Sequence, residues 1–165
     1  MRFNDPIGFF FTWTTYGTWL HGDDRWSVNR KGETIREKFL APNLTLERTH
    51  RSLLKHGQTL LSGPMRRAVR EAIERDCEHR GYVLRAVNVR TNHAHMVVLA
   101  TADPARILNT LKAWATRALR EAGLVDKDTS VWTKGGSRRW LWNAEDLAAA
   151  ADYVINGQGP DLPEV

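Results

Sequence analysis

The stretch Tyr82 to Ala100, YVLRAVNVRTNHAHMVVLA, restricts the fold more than any other in the chain. Two apolar runs with strand character, YVLRAVNV and HAHMVVLA, are separated only by RTN. That spacing predicts a β-hairpin. On a strand, side chains two residues apart share a face. His93 and His95 then project together beside Val97 and Leu99, while Ala94, Met96 and Val98 line the other face. Two adjacent imidazoles repel when both are protonated, so the pair needs partners. A metal ion or a nucleic-acid phosphate would serve. The plainer alternative is a hairpin end where both rings bond backbone and water.

The elements around the hairpin follow from periodicity and end signals. GFFFTWTTY (8–16) is aromatic and Thr-rich, which favours a strand. GPMRRAVREAIERDCEHRG (63–81) has Pro64 at the first helical position and Gly81 just past the end. Its apolar face is Met65, Ala68, Val69, Ala72, Ile73 and Cys77, and its Arg and Glu residues form a solvated, paired face. A second helix runs from the Asp103 cap and Pro104 to Gly123, with Ile107, Leu111, Trp114, Ala115 and Ala118 as its stripe. RRWLW (138–142) reads as a last strand. NAEDLAAAADYVINGQG (143–159) reads as a closing helix capped by Asn143, with Asp146 at N3 and Gly157 near its end. There Leu147, Ala150, Ala151 and Val154 make the buried stripe, with Tyr153 at its edge.

The order β–loop–α–β–β–α–β–α predicts an α+β, ferredoxin-like (split βαβ) antiparallel sheet with a C-terminal helix carrying Tyr153. The expectation is one domain over 1–165, with a long loop insertion at about 17–63. That insertion is polar, with one short helix around LERTHRSLLKH.

A hydrophobic share of 42% and a charged share of 26% are those of a soluble globular protein, and no apolar run approaches the roughly 20 residues of a membrane span. One cysteine, Cys77, excludes an internal disulfide and fits a reducing cytoplasm; on an apolar helix face it reads as core. The N-terminus lacks the features of a secretory signal, so a cytoplasmic protein of bacterial type, associated with the nucleoid, is expected. A net charge of +5 and a pI near 9.7 favour an anionic partner, nucleic acid first. Arg and Lys interleave with Trp in RRWLW and GDDRWSVNRKG, which suits phosphate contact with base stacking. Lys134, Arg138, Arg139, Arg25, Arg30 and Lys31 are candidate DNA contacts, with Trp19 and Trp26 as candidate stacking residues. Trp140 and Trp142 either stack on bases or fill the core of a short strand. TKGGSRR either cradles phosphate through its amides or is a flexible basic loop. His21, His50, His56 and His79 carry no spacing signal and read as surface residues, and Asp23 and Asp24 as turn residues.

With HAH on the hairpin's second strand and a lone helical Tyr some 60 residues on, the chain resembles the single-tyrosine HUH transposases. It is nearest to the REP-associated tyrosine transposases and their insertion-sequence relatives. The segments that carry the resemblance are FTWTTYGTWLHGD, NHAHMVV, WTKGGSRRWLW and DYVINGQG. It implies cleavage and rejoining of single-stranded or hairpin DNA through a 5′-phosphotyrosine, with a free 3′-OH. It also implies a divalent metal, Mg²⁺ or Mn²⁺, held by His93 and His95, with Tyr153 as nucleophile. In relatives a carboxamide about one turn beyond the Tyr completes the metal shell. Here that position is Gly157; Gln158 is the favoured third ligand and Asn156 the runner-up, and helical spacing does not choose between them. The Asn-Pro often seen after the Tyr is replaced by NGQGP. The resemblance further implies a homodimer, often with one subunit's Tyr meeting the other's histidines.

The residues alone allow the same chemistry. A Tyr hydroxyl with a pKa of about 10 is a poor nucleophile unless a cation activates it or its target. Two imidazoles and one oxygen donor leave coordination positions for phosphate and water, and imidazole should suit Mn²⁺ at least as well as Mg²⁺. Two other readings stand beside this one. One is a non-catalytic module on the same fold that holds single-stranded nucleic acid; the other is a metal-dependent hydrolase with a water nucleophile.

Overall fold

The computed structural model of the chain describes residues 5–18, 27–28, 39–40 and 44–159. Ten elements follow in order: β1 (Gly8–Thr14), β2 (Ser27–Val28), β3 (Phe39–Leu40), α1 (Leu44–Ser52), α2 (Gly63–Arg80), β4 (Val83–Val89), β5 (His93–Leu99), α3 (Pro104–Glu121), β6 (Ser137–Leu141) and α4 (Ala144–Asn156). The main sheet has the order β4-β5-β1-β6, and every neighbouring pair is antiparallel. This is the ferredoxin-like arrangement with one helix added at the C-terminal end. β2 and β3 form a separate two-stranded pair. No described helix is long and apolar enough to cross a membrane.

Each helix boundary has a physical cause. Asp103 Oδ1 accepts the Arg106 amide at 2.9 Å and opens α3. Asn143 Oδ1 accepts the Asp146 amide at 2.8 Å and opens α4. Gly81 stops α2 in a left-handed conformation, φ 69°, where a side chain would be strained.

The sheet separates two apolar layers. Phe9, Phe11 and Trp13 of β1 and Ala94, Met96 and Val98 of β5 face the main core with Val69, Ile73, Ile107, Leu111 and Leu119 of α2 and α3. The alternate residues face the other way, where Ala86, Val97 and Leu141 pack with Ala150 and Val154 of α4. The hairpin thus sends His93 and His95 to the α4 side, as period-two alternation requires.

Several residues sit differently from their sequence expectation. Trp114 is 41% exposed, with the Arg117 guanidinium 5.3 Å from its ring centre, and Leu108 and Leu119 fill the α3 stripe instead. On the charged face of α2, Arg70 and Glu74 pair at 2.9 Å as expected. Asp76 instead turns inward, is buried, and accepts from Arg80 Nε at 2.8 Å. Cys77 lies in the core, where burial first, then the Asp76 and Glu74 charges, push its thiol up to about 12. His56 is a tie rather than a surface residue: its Nε2 accepts the Ser130 amide at 2.8 Å. The end of the 17–63 segment is also anchored. The Thr59 and Leu61 amides donate to the Tyr16 and Thr91 carbonyls at 2.8 and 2.7 Å, and Leu61 is buried.

β1 lies this close to the β5 backbone because it begins with glycine. A Cβ on Gly8 would stand 2.7 Å from the Val98 carbonyl oxygen and 3.4 Å from Leu147 of α4. The carbonyl belongs to the backbone and cannot swing aside. Gly8→Ala is expected to cost about 1–3 kcal/mol by overpacking, read as a lower urea midpoint at unchanged slope. A midpoint equal to that of the parent protein would show that the approach of β1 to the Val98 carbonyl leaves room for a side chain.

Candidate functional site

The α4 face of the sheet holds a cluster of polar and aromatic groups. Register places Thr12 opposite His95 and Asn88 on His95's other side, all on one face. Thr12 Oγ1 and His95 Nδ1 lie 2.7 Å apart. Asn88 donates its side-chain N–H to the Val154 carbonyl at 3.0 Å, pinning the last turn of α4 over β4. The His93 and His95 rings are 4.6 Å apart, edge to face. The Tyr153 ring stands 5.8 Å from His95 and 6.0 Å from Phe10, roughly perpendicular to both. Phe10 stacks on His95 at 5.8 Å. His95 is therefore enclosed, 6% exposed, while Tyr153 remains 47% exposed. The phenol has a wall on one side and solvent on the other.

The end of α4 explains the residue that follows the tyrosine by four. A Cβ on Gly157 would fall 2.6 Å from Cδ2 of the Tyr153 ring and 2.8 Å from its carbonyl oxygen. Glycine thus lets the phenol lean back over the helix end, and the carboxamide moves one residue on, to Gln158. Gln158 Nε2 donates to the Tyr153 carbonyl at 3.2 Å, which turns Oε1 toward His93 Nε2 at 3.5 Å. Asn156 is engaged elsewhere, donating to Asp152 at 2.8 Å on an exposed face. Of the two candidate carboxamides, geometry brings Gln158 to the imidazoles.

The hydrogen-bond pattern tests whether these groups suit a metal. His93 Nδ1 donates to Asn92 Oδ1 at 2.6 Å, so a neutral ring presents the lone pair of Nε2 to the lone pairs of Gln158 Oε1. Two acceptors facing each other are stable only with a proton or a cation between them. Two ligands bound side by side at about 2.0–2.2 Å from one metal lie roughly 3.0–3.5 Å apart, which the observed 3.5 Å meets. The Nδ1 atoms of both rings are engaged, by Asn92 and Thr12, in the manner of outer groups that orient metal-binding imidazoles. Among the described residues no third His, Cys, Asp or Glu joins them. The donor set the chain offers is thus two nitrogens and one amide oxygen, which fits a divalent cation with open positions.

Burial lowers the His95 pKa from 6.5 to about 4, helped by the His93 and Arg90 charges and opposed by a hydrogen bond with Gln158. His95 is therefore neutral at physiological pH. Arg90, in the turn of the hairpin, also donates to the Gly159 carbonyl and ties down the chain beyond α4.

The basic candidates divide. Lys134, Arg138 and Arg139 are exposed on β6 and the loop before it. Arg139 lies opposite Phe10 and shares the imidazole face, whereas Arg138 lies opposite Phe11 on the other face. The preceding loop is held by Lys112, whose ammonium donates to the Thr133 and Gly135 carbonyls at 2.6 and 2.8 Å. Arg25, Arg30, Lys31, Trp19 and Trp26 fall outside the described residues. Sequence reasoning missed Phe10, Thr12, Asn92 and Arg90. Asn92 and Arg90 adjoin the HAH triplet and were open to inspection; Phe10 and Thr12 needed the strand register.

The folded pKa of His95 lies below its unfolded value, so the unfolded chain binds more protons between the two. In metal-free protein, stability is expected to fall as pH drops from about 6.5 toward about 4. Imidazole NMR in EDTA should find one ring, absent from His95→Gln, still neutral at pH 5; a midpoint near 6.5 for that ring would refute the enclosure.

No curated protein matches the chain. A solved structure of a REP-associated tyrosine transposase bound to a REP hairpin superposes with a TM-score of 0.52 at 14% identity, covering 95% of this chain and 69% of that one. At that identity the likeness is one of fold. The family model of IS200-like transposases matches residues 52–143, which include both histidines, α2, α3 and the hairpin, and stop before α4. The chain belongs to the IS200-like transposase family.

Proposed function

We propose that the protein cuts and rejoins single-stranded or hairpin-bearing DNA, with Tyr153 as nucleophile and His93, His95 and Gln158 as the holders of Mg²⁺ or Mn²⁺. One observation carries the reading: the Tyr153 ring is 5.8 Å from His95, with the Gln158 carboxamide 3.5 Å from His93 on the same side. A bound divalent cation would supply charge neutralisation at the scissile phosphate. The chain's own residues do the rest. Tyr153 is held at the helix end by Gly157 and backed by Phe10, so its hydroxyl addresses a phosphate laid over the imidazoles. The phenolic oxygen bonds to phosphorus as the bond to the 3′-oxygen breaks, and the proton lost by the phenol is balanced by the one gained by the 3′-OH. Rejoining is the reverse, with an incoming 3′-OH releasing the tyrosine. Thr12 and Asn92 keep both rings oriented. Arg139 and Lys134 supply positive charge for the strand's phosphates. In relation to the homodimer expected from the sequence, each chain carries a full set of these groups.

The test is incubation of hairpin-bearing single-stranded DNA with protein and Mn²⁺, followed by a denaturing gel. A covalent adduct is expected. Tyr153→Phe should reduce it by at least about 10³-fold, as removal of a nucleophile does, while leaving DNA binding intact. His95→Ala should abolish it at any metal concentration used. An adduct that persists in Tyr153→Phe would remove the tyrosine from the reaction. Cleavage without an adduct would favour a water nucleophile, and binding without cleavage a non-catalytic module.

A further inference from the structure

β6 is the last strand of the sheet, and its outer edge pairs with no strand among the described residues. Two large apolar side chains stand at this edge: Trp140 is 47% exposed and Trp142 51% exposed. Their rings stack on each other, 5.6 Å apart and 28° from parallel. Trp140 is also braced from behind, edge-on against the buried Phe9 ring at 6.0 Å. The pair is therefore positioned rather than loose, yet half of its surface faces water. A monomer gains nothing from leaving two stacked indoles in solvent.

We infer that Trp140 and Trp142 form a stacking platform for unpaired nucleobases of the DNA strand that runs to the tyrosine site. The inference rests on the DNA-processing function proposed above and adds to it a second contact, on the edge of the sheet, that holds the flanking single strand. Three observations select this occupant. Indole faces accept any base, and base–aromatic stacking is how proteins hold single strands without reading their sequence. Arg138 lies two residues before Trp140 on the same face of β6, so a cation precedes two indoles along the edge. Arg139 points to the opposite face, the one that carries the imidazoles, and lies opposite Phe10, whose ring stacks on His95. One strand of five residues thus offers phosphate contacts on the site's side and over the edge, leading from the reacting phosphate to the stacked pair. The acidic groups near this end, Glu145 and Asp146, belong to the first turn of α4 beyond Trp142; Asp146 is engaged by the Asn143 amide at 3.1 Å. They leave the cationic end of the track at Arg138 and Arg139.

The test measures binding of the full chain to two labelled DNAs in EDTA, so that no cutting occurs. One is a blunt hairpin; the other is the same hairpin with an unpaired flank. Wild type should bind the flanked hairpin more tightly. Trp140→Ala and Trp142→Ala should each weaken that binding by about 5- to 100-fold, from the usual worth of one stacked base. Binding of the blunt hairpin should stay unchanged, and Trp142→Phe should keep most of the affinity for the flank. Circular dichroism checks the fold; if Trp140→Ala disturbs it, Trp142→Ala decides. Unchanged affinity for the flanked hairpin in both alanine variants overturns the platform while leaving the proposed function standing. Equal losses on both DNAs also overturn it, since the contact would then be with duplex. A dimer that falls apart in the variants at unchanged DNA affinity makes the edge an interface between copies. Absence of binding to either DNA by wild type removes the proposed function and the platform together.

Discussion

The contact between α4 and the sheet, made by Ala150 and Val154 on Ala86, Val97 and Leu141, sets the position of each chemical group around the histidines. Apolar burial of this size holds the helix but does not fix its rotation or its slide along the strands. One further feature does that. The Asn88 side-chain amide donates to the Val154 carbonyl and pins the last turn of α4 over β4. With rotation and slide fixed, Tyr153 falls beside His95, and the chain leaving the helix passes His93. The site is thus a product of packing on the thinner side of the sheet, while α2 and α3 supply the larger core on the other.

Electrostatics then give the cluster its character. His95 is enclosed by Phe10, Tyr153 and the neighbouring ring, which disfavours its charged form. A neutral His95, with both rings held through Nδ1, avoids the mutual repulsion of a protonated pair. The Gln158 oxygen adds a third acceptor to the same space. An assembly of acceptors with the Arg90 charge beside it suits a cation bridging to an anionic strand better than it suits either alone. Arg139 lies on the same face of the sheet two strands away, and the stacked indoles lie at the sheet edge.

Much of this was legible in the sequence because it depends on local rules. The order of the principal elements followed from Pro64, Asp103, Asn143 and the runs between them, and the shared face of His93 and His95 followed from strand alternation. The placement of Tyr153 at the edge of an apolar stripe was readable from helical period alone. What depended on distant pairing was not. Thr12 and His95 are 83 positions apart, and only the β1–β5 register joins them. Trp114 looked like stripe and is exposed because Leu108 and Leu119 point at the core from adjacent rows of the same helix. Asp76, absent from both the apolar stripe and the Arg and Glu face read from the sequence, is buried with Arg80 one turn on as its partner. Which carboxamide lies near His93 depends on side-chain geometry at the end of α4, where the Tyr153 ring leans over Gly157, and spacing does not encode that.

The proposed site puts one metal and one phenol in a shared pocket within a single chain. Titration of Mn²⁺ into protein with labelled tyrosine rings tests it directly, since paramagnetic relaxation falls steeply with distance. The chain has three tyrosines, Tyr16, Tyr82 and Tyr153. The account predicts that Tyr153 broadens most, at the same Mn²⁺ concentration as the His93 and His95 rings, and that Gln158→Ala shifts all three to higher concentration. Broadening of the two imidazoles with Tyr153 affected no more than Tyr82 would contradict it.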